Sequence, residues 1–271
     1  MAITALNSAA TGLRALSTRI DVVANNLANA ETTAFKSSRV NFEDLMYLAL
    51  KQPGSQTQGG EIAPAGIFVG LGTKISNTQI DTSEGSLENT NRPLDVAIQG
   101  DGFFKVKILD SVGDGFGYTR NGAFFQNDKG ELVLGMGDGY RLQPPITFPS
   151  GVADDQITIS TNGVVSYVKP GTTTKTVAGQ LQISQFINPQ GLQNLGGSIY
   201  VKTDASGNPI DSNPGDNGAG QTVQNYLEES NVDPVKELVT LIKTQRSFEL
   251  NSQSIQTADQ ALQTIANLRR G

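Results

Sequence analysis

Residues 6–30 read LNSAATGLRALSTRIDVVANNLANA, and their apolar side chains return every seven positions: Leu6, Leu13, Ile20 and Leu27, with Leu16 and Val23 offset by three. The far end of the chain repeats the pattern in residues 234–268, with Leu241, Phe248, Ile255 and Leu262, helped by Leu238, Ala258 and Ile265. A 3-4 spacing marks a helix that buries a narrow stripe against another helix. Two such stripes at opposite termini predict that the ends pair with each other or with copies of themselves. The pattern points to assembly rather than to a catalytic cleft.

Between the two stripes the period changes. The first helix is expected from near Ile3 to about Ala30, where Asn25, Asn26, Asn29, Thr32 and Thr33 favour caps and turns over helix interior. A short amphipathic stretch follows from Phe42 to Leu50 and stops at Gln52-Pro53-Gly54. Residues 52–66 are Gly, Gln, Ser and Pro with few apolar anchors, which predicts an extended or flexible segment. From Lys74 onward, two-residue alternation predicts strands at 74–80, 94–98, 103–109, 116–120, 131–134, 157–160, 164–168, 177–187 and 199–202. Asn162-Gly163 carries the strongest hairpin signal, because a type I′ turn needs positive φ at both central residues. A two-residue loop there would place Ile157, Ile159, Val164 and Val168 on one side of the ribbon. Residues 204–220, with Pro209 and Pro214, are expected as a surface loop. Asp233 can cap the last helix, and Pro234 suits its first position, where the missing N–H costs nothing.

The expected fold is therefore α+β. N- and C-terminal helices pair as a coiled-coil-like domain (1–42 plus 225–271), an extended segment (43–74) connects, and a central all-β, hairpin-rich domain (75–224) is inserted between them.

Composition narrows the function classes. The chain has 271 residues, of which only 17% are charged and 6% aromatic, so its polarity comes from amides, hydroxyls and 30 glycines. That suits turn-rich strands and wide, wet subunit contacts. With a net charge of −6 and scattered Lys and Arg, it lacks the basic clusters that nucleic acid requires. There is no Cys, hence no disulfide, thiolate metal site or Cys nucleophile. There is no His either, which removes the commonest general base and the usual zinc ligands. The start of the chain does not read as a cleaved secretory signal, and no stretch approaches the roughly 20 apolar residues of a membrane span.

Remaining chemistry is thin. Asp154-Asp155 and Glu228-Glu229 could supply a carboxylate pair, but adjacent acids in an acidic chain read as solvated surface. Gly135, Gly137 and Gly139 resemble a nucleotide loop, yet the Pro-rich stretch to Pro149 is not the helix that such a loop must open. Asp204, Asn208, Asp211, Asn213 and Asp216 could offer oxygen to calcium, without the compact spacing of an EF-hand. No catalytic, cofactor-binding or metal-binding residue is assigned, and no cofactor is expected.

Three stretches together resemble the axial proteins of the bacterial flagellum, the rod and hook family. They are Arg19 to Ala30 followed by Thr32 and Phe35-Lys36, then Leu94 to Phe104, then Ser230 to Asp233 with Gln245 to Ser252. In order and spacing the resemblance covers essentially the whole chain. The segment Phe42-Glu43-Asp44-Leu45 through Gly72-Thr73 is similar to one found in the distal rod branch, as are Thr119 to Gly122, Phe186 to Leu192 and Gly218 to Gly220. Ala34 stands where that family usually has Gly, which takes away the residue a left-handed turn favours. Phe248 replaces a common Tyr, and Ala261 a frequent Met.

The resemblance implies a non-enzymatic subunit of a helical tube, a rigid drive shaft passing torque from motor to hook; the alternatives are a proximal rod or hook subunit of the same family, or a peptidoglycan-processing enzyme. It implies partners in kind: further copies, proximal rod and hook-side axial proteins, the ring bushing of the basal body, and the flagellar type III export apparatus, with a periplasmic rod as location. On this reading Leu13, Leu16, Ile20, Val23 and Leu27 meet Leu241, Phe248, Ile255 and Leu262 of the same or adjacent subunits. Asn25, Asn26 and Asn29 would set register across copies, as buried amides do in coiled coils. The 43–74 segment would stiffen the tube by bridging neighbours.

Overall fold

The computed structural model describes residues 2–54, 64–109, 113–135, 137, 139–169, 171 and 174–268. A helix α1 spans Ala2–Ala28, a β-rich middle follows, and a helix α2 spans Pro234–Leu268. The order expected from the two heptad stripes is the order observed. The chain divides into two compact units: residues 1–28, 38–79 and 233–271 form one, and residues 29–37 with 80–232 form the other.

In the helical unit α1 lies along α2. Asn26 Nδ2 donates to Glu237 Oε1 at 3.4 Å, and a Cβ on Gly12 would sit 3.4 Å from Asn251 Nδ2. These contacts are 14 residues apart on each helix (26 − 12 and 251 − 237), so the helices run antiparallel at constant register. The start of α2 is built as expected. Asp233 Oδ1 accepts from the N–H groups of Val235 and Lys236, both at 3.1 Å, beside Pro234 in the first turn. Those N–H donors, with the Lys236 ammonium, hold the Asp233 carboxyl below its usual value.

Residues 38–51 overturn the expected amphipathic stretch. They form two strands, Ser38–Asp44, which pairs with Thr73–Ile80, and Tyr47–Lys51, which pairs with Ile67–Gly70. Met46, Leu48 and Leu50 keep a two-residue period that Tyr47 interrupts, and all four stay exposed. Of the expected extended segment, residues 55–63 lie outside the described residues. The ribbon is anchored on α1: Thr11 Oγ1 accepts from Thr73 N–H at 3.3 Å, and Ser8 Oγ donates to the Gly70 carbonyl at 3.4 Å. Gly72 has φ +115°, and a Cβ there would sit 2.1 Å from Thr11 Oγ1. Only glycine allows that approach.

The β-unit is organised about the strand Phe103–Lys107. It pairs antiparallel with Phe116–Thr119 along one edge, and with Arg141–Gln143 and Ile183–Gln185 along the other. Phe104 and Val106 enter the main core with Val96, Leu132, Leu142 and Leu181, whereas Phe103 turns to a second cluster with Tyr118, Leu192 and Tyr200. Both faces are thus covered here, and adjacent aromatic residues in one strand can both be buried. Edge-to-face rings fix each cluster: Phe104 on Phe124 at 5.2 Å, and Tyr118 on Phe186 at 4.7 Å.

Two expectations about turns fail for one reason. At Asn162-Gly163 only Gly163 has positive φ, Gly163 N–H bonds the Ser160 carbonyl at 2.9 Å, and Ser160 N–H bonds the Val164 carbonyl at 3.0 Å. The loop therefore has three residues, 161–163, rather than two. The extra residue shifts the alternation by one, so Val165 and Tyr167 are buried beside Ile157 and Ile159 while Val164 and Val168 are half-buried. Positive φ at both central residues occurs instead at Asn217 (53°) and Gly218 (79°), closed by Ala219 N–H on the Asp216 carbonyl at 2.8 Å. That turn lies in the stretch expected as plain loop. The same stretch also contains the strand Ile210–Ser212.

Candidate subunit interface

The apolar positions expected at a helix seam are only partly covered in the chain by itself. Leu13, Leu16, Ile20 and Leu27 on α1 are half-buried, as are Leu241, Phe248, Ile255 and Leu262 on α2; of the nine apolar seam positions only Val23 is buried, at 5% exposure. Among the described residues, Ala15 and Thr244 are the other buried residues of the pair besides Asn26. Small side chains bring two helices close without hiding the larger ones flanking them. Two helices alone leave part of each seam residue in water.

The three amides expected to set register differ in placement. Asn26 is buried, and its side chain pairs with the backbone of Ser38 in both directions: Nδ2 donates to the Ser38 carbonyl at 2.8 Å and Oδ1 accepts from Ser38 N–H at 3.0 Å. With Glu237 as a further acceptor, the Asn26 amide is committed within its own chain. Asn25 is exposed on α1, and Asn29 is half-buried in the turn that follows it.

A second apolar face lies on α2, and it takes Leu238, which the heptad spacing had assigned to the seam stripe. Val235, Leu238, Val239, Ile242 and Leu250 are 70, 45, 44, 50 and 64% exposed. At 3.6 residues per turn they fall within roughly a third of the circumference of α2, on the side away from Leu241, Phe248 and Ile255. The signal was present, because Val235, Val239 and Ile242 recur at four and three, but the longer heptad stripe masked it. The Tyr47–Lys51 and Ile67–Gly70 ribbon adds further exposed apolar surface, with Met46, Tyr47, Leu48, Leu50, Ile67 and Phe68 each about half exposed or more.

In the β-unit the incoming and outgoing chain segments are tied by a buried charge cluster. Glu228, at the end of the strand Tyr226–Glu228, has its side chain fully enclosed, which corrects its reading as solvated surface. Oε1 accepts from Lys36 Nζ at 2.5 Å and from Gly85 N–H at 3.0 Å, and Oε2 meets Arg120 Nη1 at 3.3 Å. Lys36 also donates to the Ser83 carbonyl, and Arg120 to the carbonyls of Ile98 and Gly100. Burial pulls the Lys36 ammonium below its usual value, against the opposing pull of Glu228.

Beside this cluster Ala34 N–H bonds the Glu228 carbonyl at 2.8 Å, with Ala34 itself at φ +57°. The left-handed turn is kept despite the missing glycine. Asn231 completes the tie: Oδ1 accepts from Ser37 N–H at 2.8 Å, and Nδ2 donates to the Asp81 carbonyl at 2.9 Å. Lys36, Arg120 and Asn231 all lie in the motifs that carried the resemblance, whereas nothing in the sequence singled out Glu228 as their common partner. Asp211, read as a possible calcium ligand, is bound to Lys105 at 2.8 Å and to Ser184 at 2.5 Å. Among the described residues no helix is long and apolar enough to cross a membrane, and no group of three carboxylates could hold a metal ion.

Known proteins match along the full length. The profile described as "Flagella basal body rod protein" matches residues 6–36, the "Flagellar hook protein FlgE/F/G D1 domain" matches 97–167, and "Flagellar basal body rod FlgEFG protein C-terminal" matches 223–268. The flagellar basal-body rod protein FlgG of Buchnera aphidicola subsp. Baizongia pistaciae is 42% identical over 266 residues, 98% of this chain and 100% of that protein. Its namesake in Borreliella burgdorferi is 42% identical over 98% of both chains, and that of Caulobacter vibrioides 41% over 98% and 99%.

Proposed function

Because this chain belongs to the flagellar basal-body rod and hook protein family, we propose that it builds the distal rod by stacking copies into a rigid helical tube. It is a structural subunit of the flagellar basal body. Within the tube, α1 and α2 act as a coiled-coil-like pair whose half-covered seam is sealed by neighbouring pairs, and the outward stripe of α2 docks on the next copy. The ribbon at 47–51 and 67–70 bridges neighbours and resists bending, so that rotation passes from motor to hook. Its axial neighbours, the ring bushing and the export apparatus are the partners this role requires.

One observation carries the reading. Five large apolar side chains on one face of α2 are exposed, although a helix of a self-sufficient domain shows a polar outer face. Covering what is now exposed gains about 1 kcal/mol per side chain. That is modest for one contact, but a helical polymer repeats it at every subunit. The five-residue stripe is tested by Ile242→Asp and Val239→Asp in full-length protein, concentrated and viewed by electron microscopy. Wild-type protein should form straight tubes of uniform diameter and the variants none, with circular dichroism of the dilute proteins alike. Tubes of normal length from both variants would overturn the assignment.

A further inference from the structure

We infer that Asn217 is a site of spontaneous backbone modification, deamidating through a cyclic imide while the chain remains folded. The sequence contains three Asn-Gly steps, at 121–122, 162–163 and 217–218. Glycine after asparagine permits the reaction, because no Cβ hinders attack by the following backbone nitrogen on the side-chain amide. Two further conditions are structural: the asparagine side chain must be able to turn, and the glycine N–H must be unbonded so that it can lose its proton.

The fold separates the three positions on those conditions. Asn121 is buried at 0% exposure, and its Oδ1 is held by Ala123 N–H at 2.9 Å. At the second site the nucleophile is occupied, since Gly163 N–H bonds the Ser160 carbonyl at 2.9 Å, and the Gly163 carbonyl accepts from Leu181 N–H at 2.8 Å. Asn217 and Gly218 are both exposed at the tip of their turn. Closure of that turn uses Ala219 N–H and the Asp216 carbonyl, and Gln185 Nε2 holds the Gly218 carbonyl at 2.9 Å. Among the described residues no acceptor takes Gly218 N–H, and none of these bonds employs the Asn217 side chain. The geometry that anchors the turn leaves both reacting groups free.

The step balances without a cofactor. Gly218 N, losing its proton to solvent base, bonds to Asn217 Cγ; the Cγ–Nδ2 bond breaks and ammonia leaves. Water then opens the imide at either carbonyl, giving aspartate or isoaspartate. Either product adds a carboxylate next to Asp216, and isoaspartate also lengthens the main chain by one carbon inside a turn whose neighbour Gly220 donates to the Asp101 carbonyl.

The test is peptide mapping by mass spectrometry of purified full-length protein held at mildly alkaline pH. Breaking a hydrogen bond of ordinary net strength before reaction slows a site by up to roughly tenfold, so Asn217 should convert up to about tenfold faster than Asn162, and Asn121 should not convert. In urea the three should converge, because only the fold distinguishes them. Conversion at Asn162 or Asn121 first, or no more at Asn217 than at Asn162 in the folded protein, would overturn the inference. An Asn217→Ser chain, which lacks the reacting amide, should stay unmodified at that position over the same period.

Discussion

Glu228 shows how far a single side chain can escape a reading of the sequence. Adjacent to Glu229 in an acidic chain it looked solvated, yet it is the anion that holds Lys36 and Arg120 in the interior of the β-unit. Sequence proximity says nothing about partners 108 and 192 residues away. Removing the charge with Glu228→Gln leaves two cations facing each other without a counter-ion, and should cost about 3–5 kcal/mol in urea unfolding of the full chain. A loss under 1 kcal/mol would mean that the cluster is dispensable. Tyrosine titration gives a second check on burial. Tyr118 and Tyr200 are enclosed, and burial foremost, helped by nearby carboxylates, pushes both phenols up to about 12. A raised phenol value favours the neutral form in the fold, so this contribution is intact below about pH 10 and is lost as pH climbs from 10 towards 12. Phenolate absorbance should show these two ionising only in that window, together with unfolding. Ala34 adds the converse lesson: the fold imposes φ +57° on a residue that does not favour it, because its N–H is needed by the Glu228 carbonyl.

At the scale of elements, periodicity located both long helices almost to the residue, since thirty residues of heptad pattern average out local noise. The same rule found some short strands, such as Leu132–Leu134 and Ile199–Val201, and missed others. Strands of three or four residues, Gln221–Gln224 and Tyr226–Glu228 among those missed, give alternation few positions to register. The hairpin around residues 161–163 shows the cost of a single extra loop residue, since it exchanges the buried and half-buried sets. Val165→Ala should therefore cost about 2 kcal/mol and Val164→Ala well under half of that, by thermal or urea unfolding. The opposite ranking would contradict the pairing of Ile159 with Val165. The ribbon has its own critical joint at Gly72. A methyl group there meets Thr11 on α1 and strains a left-handed backbone, so Gly72→Ala should detach the ribbon by at least about 1 kcal/mol. Faster proteolytic cleavage within 47–70, with the β-unit still resistant, would register the change; an unaltered digestion pattern would count against the joint.

For the whole molecule, the two faces of α2 should respond differently to charge. A seam substitution such as Leu16→Asp should lower the melting temperature of dilute protein and prevent tube formation, whereas Ile242→Asp should prevent tubes and leave melting unchanged. Calorimetry beside microscopy separates the two, and equal melting shifts would mean that both faces serve the same internal contact. The heptads announced that the ends associate, but they could not divide inward from outward surface, because a stripe of leucines looks the same whatever covers it. In the β-unit, the residues that enter from α1 and those that leave toward α2 grip each other directly, Ala34 on Glu228, Phe35 and Ser37 on Asn231. Two strands of chain so joined form the neck of a closed purse: what hangs below can be enlarged, trimmed or exchanged while the neck keeps its width. Loop changes between residues 107 and 219 should therefore leave the grip of Ala34 on Glu228 and of Ser37 on Asn231 as it is.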